Sequence, residues 1–336
     1  MEKILRKRPT FADYLEGIKR HDKIITAQAI TLIESQLPAD IDLAEKIIEA
    51  ILPLTGNSIR IGITGPPGVG KSTFIESFGE FLTQAGKKIA VLAIDPSSTI
   101  TKGSILGDKT RMENLSRNAN AFIRPSATGN TLGGVANATK ETILLCEAAG
   151  FDVILIETVG VGQSEIAVRD MVDFFLLLVL AGAGDELQGI KKGIMEMADG
   201  IVVTKADGDN VKHTQHAKLD LQNALHLFST PPSQWLPRVV TSSAITNQGI
   251  EDIWKMIEQY ADVTKQNDFF SINRQRQDVT WFHGSMQRMI KKEIVDAIAS
   301  EEKIKELEGK IMAKEISASA ASNLIVTMIK QRFAKI

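Results

Sequence analysis

The chain has 336 residues, 43% of them apolar and 24% charged, with a formal net charge of -2. A chain of this size can bury a large core, and a near-neutral balance leaves no broad basic footprint, which argues against a nucleic-acid binder. The single cysteine, Cys146, excludes an internal disulfide framework and points to a reducing compartment, read here as the cytoplasm.

In chain order, Lys3, Arg6, Lys7 and Arg8 are not followed by the apolar run of a secretory signal, because Asp13, Glu16, Lys19 and Arg20 interrupt it. Residues 1–55 read as a helical region. Tyr14, Leu15 and Ile18, then Leu43, Ile47, Ile48 and Ile51, recur at helical spacing, with Asp40 and Asp42 as candidate caps.

Residues 56–265 read as an α/β unit with a mostly parallel sheet flanked by helices. Short β-branched runs alternate with helical segments at Ile59 to Thr64, Ile89 to Ile94, Ala121 to Ile123, Val153 to Ile156, Phe174 to Leu180, Ile201 to Val203 and Val239 to Val240. The most apolar stretch, Phe174 to Ala183, reaches about half of the ~20 residues a membrane helix requires, so a buried strand is expected and no membrane partner. Ligands of such sheets collect outside the carboxyl ends of the strands.

After the first run comes Gly65-Pro66-Pro67-Gly68-Val69-Gly70-Lys71-Ser72, followed by Thr73 and an amphipathic helix with Phe74, Phe78, Phe81 and Leu82. Strand, G-x-x-x-x-G-K-S and helix together make a phosphate-binding loop. Its glycines let consecutive main-chain N–H groups curl around phosphate oxygens, Lys71 brings a point charge to the outer phosphates, and Ser72 offers its hydroxyl to Mg²⁺.

Asp95 and Glu157 follow the second and fourth runs, and Asp108 lies in a Gly-punctuated stretch that also holds Arg111. Mg²⁺ takes oxygen ligands, often one or two carboxylates plus phosphates and waters, so these are the candidate metal residues. Glu157 also heads Thr158-Val159-Gly160-Val161-Gly162, a segment suited to reorder around a γ-phosphate, with the Gly160 N–H as a candidate donor. Gly182 to Gly193 is similarly glycine-rich and charged.

The sixth run leads into Thr204-Lys205-Ala206-Asp207, close to the N-K-x-D that reads guanine. An aspartate accepts from the guanine N1–H and exocyclic amine, a donor pair adenine does not offer. Ser243 and Ala244, after the seventh run, fit a second guanine loop, so GTP and GDP are expected over ATP. Thr204 departs from the pattern, since an asparagine amide would tie this loop to the phosphate loop.

Residues 266–336 read as a helical arm. Met286, Met289, Ile290, Ile294 and Ala297 form an apolar stripe in a helix from about Val279 to Ser300, with a last helix from Ala318 to Phe333, a pattern that suits a homodimer.

The runs GPPGVGKST, DPSS, GSILGDKTRM, RPSATGNTLGGVA, ETVGVGQSE, GAGDELQGIKKGI and TKAD, in this order, resemble the methylmalonyl-CoA mutase-associated GTPases, the MeaB/ArgK family of SIMIBI-class P-loop proteins, over nearly the whole chain. The resemblance implies a GTPase that chaperones an adenosylcobalamin-dependent methylmalonyl-CoA mutase, gating cofactor loading and protecting the enzyme. It implies magnesium and switch roles for Asp95, Asp108 and Glu157, a third switch at Gly182 to Gly193 with Asp185, Gln188 and Lys191 as coupling residues, and a dimer through the C-terminal helices. Lys191 would enter the hydrolytic site with the partner bound, as an arginine finger does elsewhere, and turnover without the partner would be slow.

Two other classes compete. A nickel or cobalt metallochaperone needs thiol or imidazole ligands, for which Cys146, His213 and His216 are the material. An ATP-dependent kinase tied to amino-acid transport would need a catalytic loop of the His-Arg-Asp type, which the sequence lacks.

Overall fold

The computed structural model describes residues 8–35, 37–94, 112–125, 132–158, 163–181, 192–298 and 301–333. Three helices lead: α1 (Phe11–Lys19), α2 (Lys23–Ile33) and α3 (Pro38–Ile51). Thr10 and Asp13 form a reciprocal capping box on α1, and Asp22 accepts from the Ile24 and Ile25 N–H groups to cap α2. The expected caps of α3, Asp40 and Asp42, prove to lie inside the helix. Leu37 stands at its cap, because Pro38 is pre-set for the first turn and has no N–H to satisfy, and Asp40 pairs instead with Arg8.

The sheet has seven strands in the order β3-β2-β4-β1-β5-β6-β7, every pairing parallel. They are β1 (Ile59–Thr64), β2 (Ile89–Ile94), β3 (Ala121–Pro125), β4 (Val153–Thr158), β5 (Phe174–Leu180), β6 (Gly200–Thr204) and β7 (Arg238–Thr241). Between them run α4 (Lys71–Gln84), α5 (Glu113–Arg117), α6 (Leu132–Ala148), α7 (Gln163–Arg169), α8 (Lys192–Met197) and α9 (Val211–Leu225), and α10 (Ile250–Gln266) follows β7.

Successive residues of a strand face opposite sides, and both sides are buried here. Ile154, Ile156 and Phe175 pack with Ile18, Ile30 and Ile47 of the N-terminal helices, whereas Val153, Leu155 and Phe174 pack with Phe74, Phe78 and Tyr260. That double burial is why the strands read as unbroken apolar runs. β4 extends two residues past its apolar run, since Glu157 is paired on one side with Ile63 and on the other with Ala93.

Charges gather at the amino edge of the sheet. Arg60 donates from Nε and Nη2 to Glu147 at 2.8 and 2.9 Å, and Asp173 accepts from the Arg60 N–H at 2.8 Å and from Arg274 Nε and Nη2, each at 2.7 Å. Burial pushes the Glu147 pKa up, but Arg60, Arg274 and Ser58 outweigh it and hold the group below the ordinary value.

The chain divides into two compact units, Met1–Arg274 and Gln275–Ile336. Three helices close the chain: α11 (Phe269–Ile298), α12 (Glu301–Met312) and α13 (Ala318–Phe333). α11 starts ten residues before the helix start expected at about Val279, in a stretch where Asn273, Arg274 and Arg276 interrupt the apolar pattern. Among the described residues no helix is long and apolar enough to cross a membrane.

Removing one member of a buried ion pair strands the other. Arg60→Met is therefore expected to lower the unfolding free energy by about 3–5 kcal/mol in urea titrations. A loss under about 1 kcal/mol would mean the pair counts no more than an exposed one.

Candidate functional site

β1 delivers the chain into a loop that turns through Gly65, Gly68 and Gly70, at φ of 154°, 80° and 93°. At Gly65 a Cβ would stand 2.5 Å from the Leu178 carbonyl oxygen, so a side chain is excluded both by the backbone conformation and by β5. α4 begins at Lys71 with no side chain capping it, which leaves its first N–H groups to a ligand.

Lys71 Nζ donates to the carbonyl oxygens of Gly65 at 2.7 Å and Pro66 at 3.3 Å, inside the curl of the loop. Burial lowers the pKa of this ammonium, and Glu157 and Glu165 oppose that shift. A polyphosphate in the curl would complete what the two carboxylates begin, returning the charge to a favourable field.

Ser72, the next residue, donates from Oγ to Glu157 Oε1 at 3.2 Å. Adjacent oxygen ligands of an octahedral Mg²⁺, at about 2.1 Å from the ion, lie about 3 Å apart, so this pair fits one such ion. The other expected metal and switch residues, Asp95, Asp108, Arg111, Gly160, Asp185, Gln188 and Lys191, lie outside the described residues.

Beside the loop lies a cavity of about 180 Å³, walled on one side by Val69, Gly70 and Thr73 and on the other by Thr204, Lys205, Asp207 and Ala244. Ser243 donates from its hydroxyl to Asp207 Oδ2, and that hydroxyl in turn accepts from the Thr246 N–H at 3.2 Å. A carboxylate aimed by a buried serine into a cavity can accept two parallel donors from a planar base edge.

Thr204 overturns one expectation. The tie to the phosphate loop thought to need asparagine is present: the buried Thr204 hydroxyl lies 3.0 Å from the Val69 carbonyl oxygen and 3.2 Å from that of Val179. A short side chain suffices because β6 runs through Thr204 and carries its Cβ up to the loop. Lys205, in the left-handed region at φ 57°, adds a second tie from Nζ to the Gly68 carbonyl at 3.0 Å.

Ile245, 80% exposed on the rim of the same cavity, had no sequence signal beyond being an isoleucine in a polar loop. The metallochaperone material is scattered: Cys146 is buried on α6 with its thiol pKa pushed up by burial, and His213 and His216 are exposed on α9. Among the described residues no group of three or more His, Cys, Asp or Glu is placed to hold a metal ion.

The family described as "Methylmalonyl Co-A mutase-associated GTPase MeaB" matches residues 26–303. "GTPase ArgK" of Escherichia coli is 47% identical over 272 residues, covering 81% of this chain and 82% of its own. "Methylmalonic aciduria type A homolog, mitochondrial" of Mus musculus is 41% identical over 337 residues, covering 97% and 81%. Among solved structures, one titled "Crystal structure of LAO/AO transport system kinase" superposes with a TM-score of 0.75 at 35% identity, covering 96% of this chain and 98% of that one.

Thr204→Val keeps the shape of the side chain and removes its hydroxyl. GDP affinity measured by calorimetry is expected to fall by about 5- to 100-fold, with Thr204→Ser close to the parent. An affinity within twofold for the valine variant would show that the tie is dispensable.

Proposed function

This chain belongs to the MeaB family of methylmalonyl-CoA mutase-associated GTPases, and we propose that its Mg²⁺-dependent GTP cycle serves an adenosylcobalamin-dependent methylmalonyl-CoA mutase as a chaperone. In that role it gates cofactor loading and protects the mutase. The observation that carries the reading is the meeting, at one edge of one sheet, of the Lys71 loop, the Ser72–Glu157 pair and the Asp207–Ser243 pair.

In this assignment the main-chain N–H groups of Gly68 to Thr73 and the Lys71 ammonium hold the β- and γ-phosphates. Ser72 and Glu157, joined by Asp95 and Asp108, hold the ion, which when bound neutralises charge on the phosphate oxygens. Glu157 also orients the attacking water, and the Gly160 N–H meets the γ-phosphate. Asp207 accepts from the guanine N1–H and exocyclic amine, with Thr204, Lys205, Ser243 and Ala244 framing the base.

Gly182 to Gly193 would face the mutase, and Lys191 would supply transition-state charge once the partner is bound. This segment joins β5, whose Val179 carbonyl lies within reach of Thr204, to α8.

The solved relative titled as a transport-system kinase raises the alternative of ATP-dependent phosphoryl transfer. The Asp207 loop favours guanine, and the sequence holds no His-Arg-Asp catalytic loop.

With purified methylmalonyl-CoA mutase, binding is expected to differ between GDP and a non-hydrolysable GTP analogue, and GTP turnover to rise at least tenfold. Failure to bind in every nucleotide state would remove the mutase as client. The homodimer is assigned to α11, where Val279, Phe282, Met286 and Met289 are exposed at the 3–4 spacing of a coiled-coil seam. Phe282→Glu with Met289→Glu is expected to sediment as a monomer, and a persistent dimer would place the interface elsewhere.

A further inference from the structure

The loop that frames the base side of the site is held by a contact the nucleotide motifs do not include. Between β7 and α10 the chain closes a small ring: the Ser243 N–H donates to the Gln248 carbonyl at 3.0 Å, and the Thr246 N–H to the Ser243 hydroxyl at 3.2 Å. The ring is tight enough that a Cβ on Gly249, at φ 77°, would stand 2.2 Å from the Thr241 carbonyl oxygen. Its side chains Ser243, Ala244 and Ile245 hold Asp207 or line the base cavity.

From this ring Asn247, in the left-handed region at φ 59°, reaches across to α4 and accepts at Oδ1 from the Ser77 hydroxyl at 2.6 Å. Ser77 is buried and stands six residues after Lys71 on the helix that the phosphate loop launches. This side-chain hydrogen bond, beside the apolar packing of Phe74 and Phe78 with Ile250 and Ile253, joins the helix that carries the phosphate cradle to the ring that carries Ser243.

We propose that Ser77 and Asn247 are positioning residues for guanine recognition, setting the distance from the phosphate loop to the Ser243–Asp207 pair. A base and its phosphates are joined by a sugar of fixed span, so a ring free to drift would keep its grip on phosphate and lose register with the base. The pair acts through Ser243 and touches no reacting atom. This inference rests on the reading of Asp207 as the guanine acceptor.

The test uses the full-length protein and four variants: Ser77→Ala, Asn247→Ala, the double alanine variant and Asn247→Asp, which keeps an acceptor oxygen for Ser77. Asn247 is exposed, so its replacement should leave the chain folded, with a thermal midpoint slightly lowered because alanine is disfavoured at positive φ. Expected for the alanine variants is a GDP affinity lowered about tenfold, unchanged affinity for inorganic pyrophosphate, and a smaller preference for GDP over IDP. The double variant should be no worse than either single one, and Asn247→Asp should restore GDP binding.

GDP affinity within twofold of the parent, a parallel loss for pyrophosphate, or additive single effects would each overturn the proposal. Asp207→Asn, run alongside, is expected to move preference from GDP to XDP. If it does not, the guanine reading itself fails. If it does while the Asn247→Ala variant behaves as the parent, the brace alone is rejected.

Discussion

The passage of the chain from β1 into α4 is the constraint on which the rest of the molecule depends. Gly65 has no room for a side chain because the backbone of β5 crosses where one would point. With the loop pressed that closely against the sheet, its carbonyls become anchor points: Gly65 for Lys71, Gly68 for Lys205 and Val69 for Thr204. The residues that would handle phosphate and base are thus built onto one short stretch of backbone, and a shift of that stretch moves them together.

The two edges of the sheet divide stability from chemistry. At the amino edge Arg60, Glu147, Asp173 and Arg274 satisfy one another in a buried network, and Tyr260 donates to the Asp173 carbonyl at 2.8 Å. Such a network resists rearrangement, since breaking any pair strands a charge. At the carboxyl edge, among the described residues, Asp207 accepts from Ser243 beside a cavity and Glu157 accepts from Ser72. Firm anchorage at one end leaves the other free to present groups whose partners come from a ligand.

A GTPase with this layout can report its nucleotide state only through elements that touch the phosphates or their neighbours. Thr204 links the base loop to the phosphate loop and lies within reach of Val179 near the end of β5, beyond which the chain enters the Gly182 to Gly193 segment. Where the N-K-x-D pattern has asparagine, the Thr204 hydroxyl lies 3.0 Å from the Val69 carbonyl oxygen.

What the sequence alone determined was whatever depends on neighbours along the chain. The Gly65 to Ser72 loop was legible because strand, glycines and helix start are contiguous, and β1, β2 and β5 matched their apolar runs residue for residue because both faces of the sheet are buried. The cap of α3 and the start of α11 were misread: Pro38 made a cap side chain unnecessary, and after Phe269, Phe270 and Ile272 the polar residues Asn273, Arg274 and Arg276 break the apolar pattern of α11. Only the tertiary structure decided that Ser72 meets Glu157, 85 residues away, that Thr204 reaches Val69 across 135, and that Ser77 meets Asn247 across 170. Those contacts depend on the strand order that folds β4 and β5 against β1 and sets β6 and β7 beyond them, and a hydrogen bond between distant residues leaves no periodicity in the sequence by which to see it.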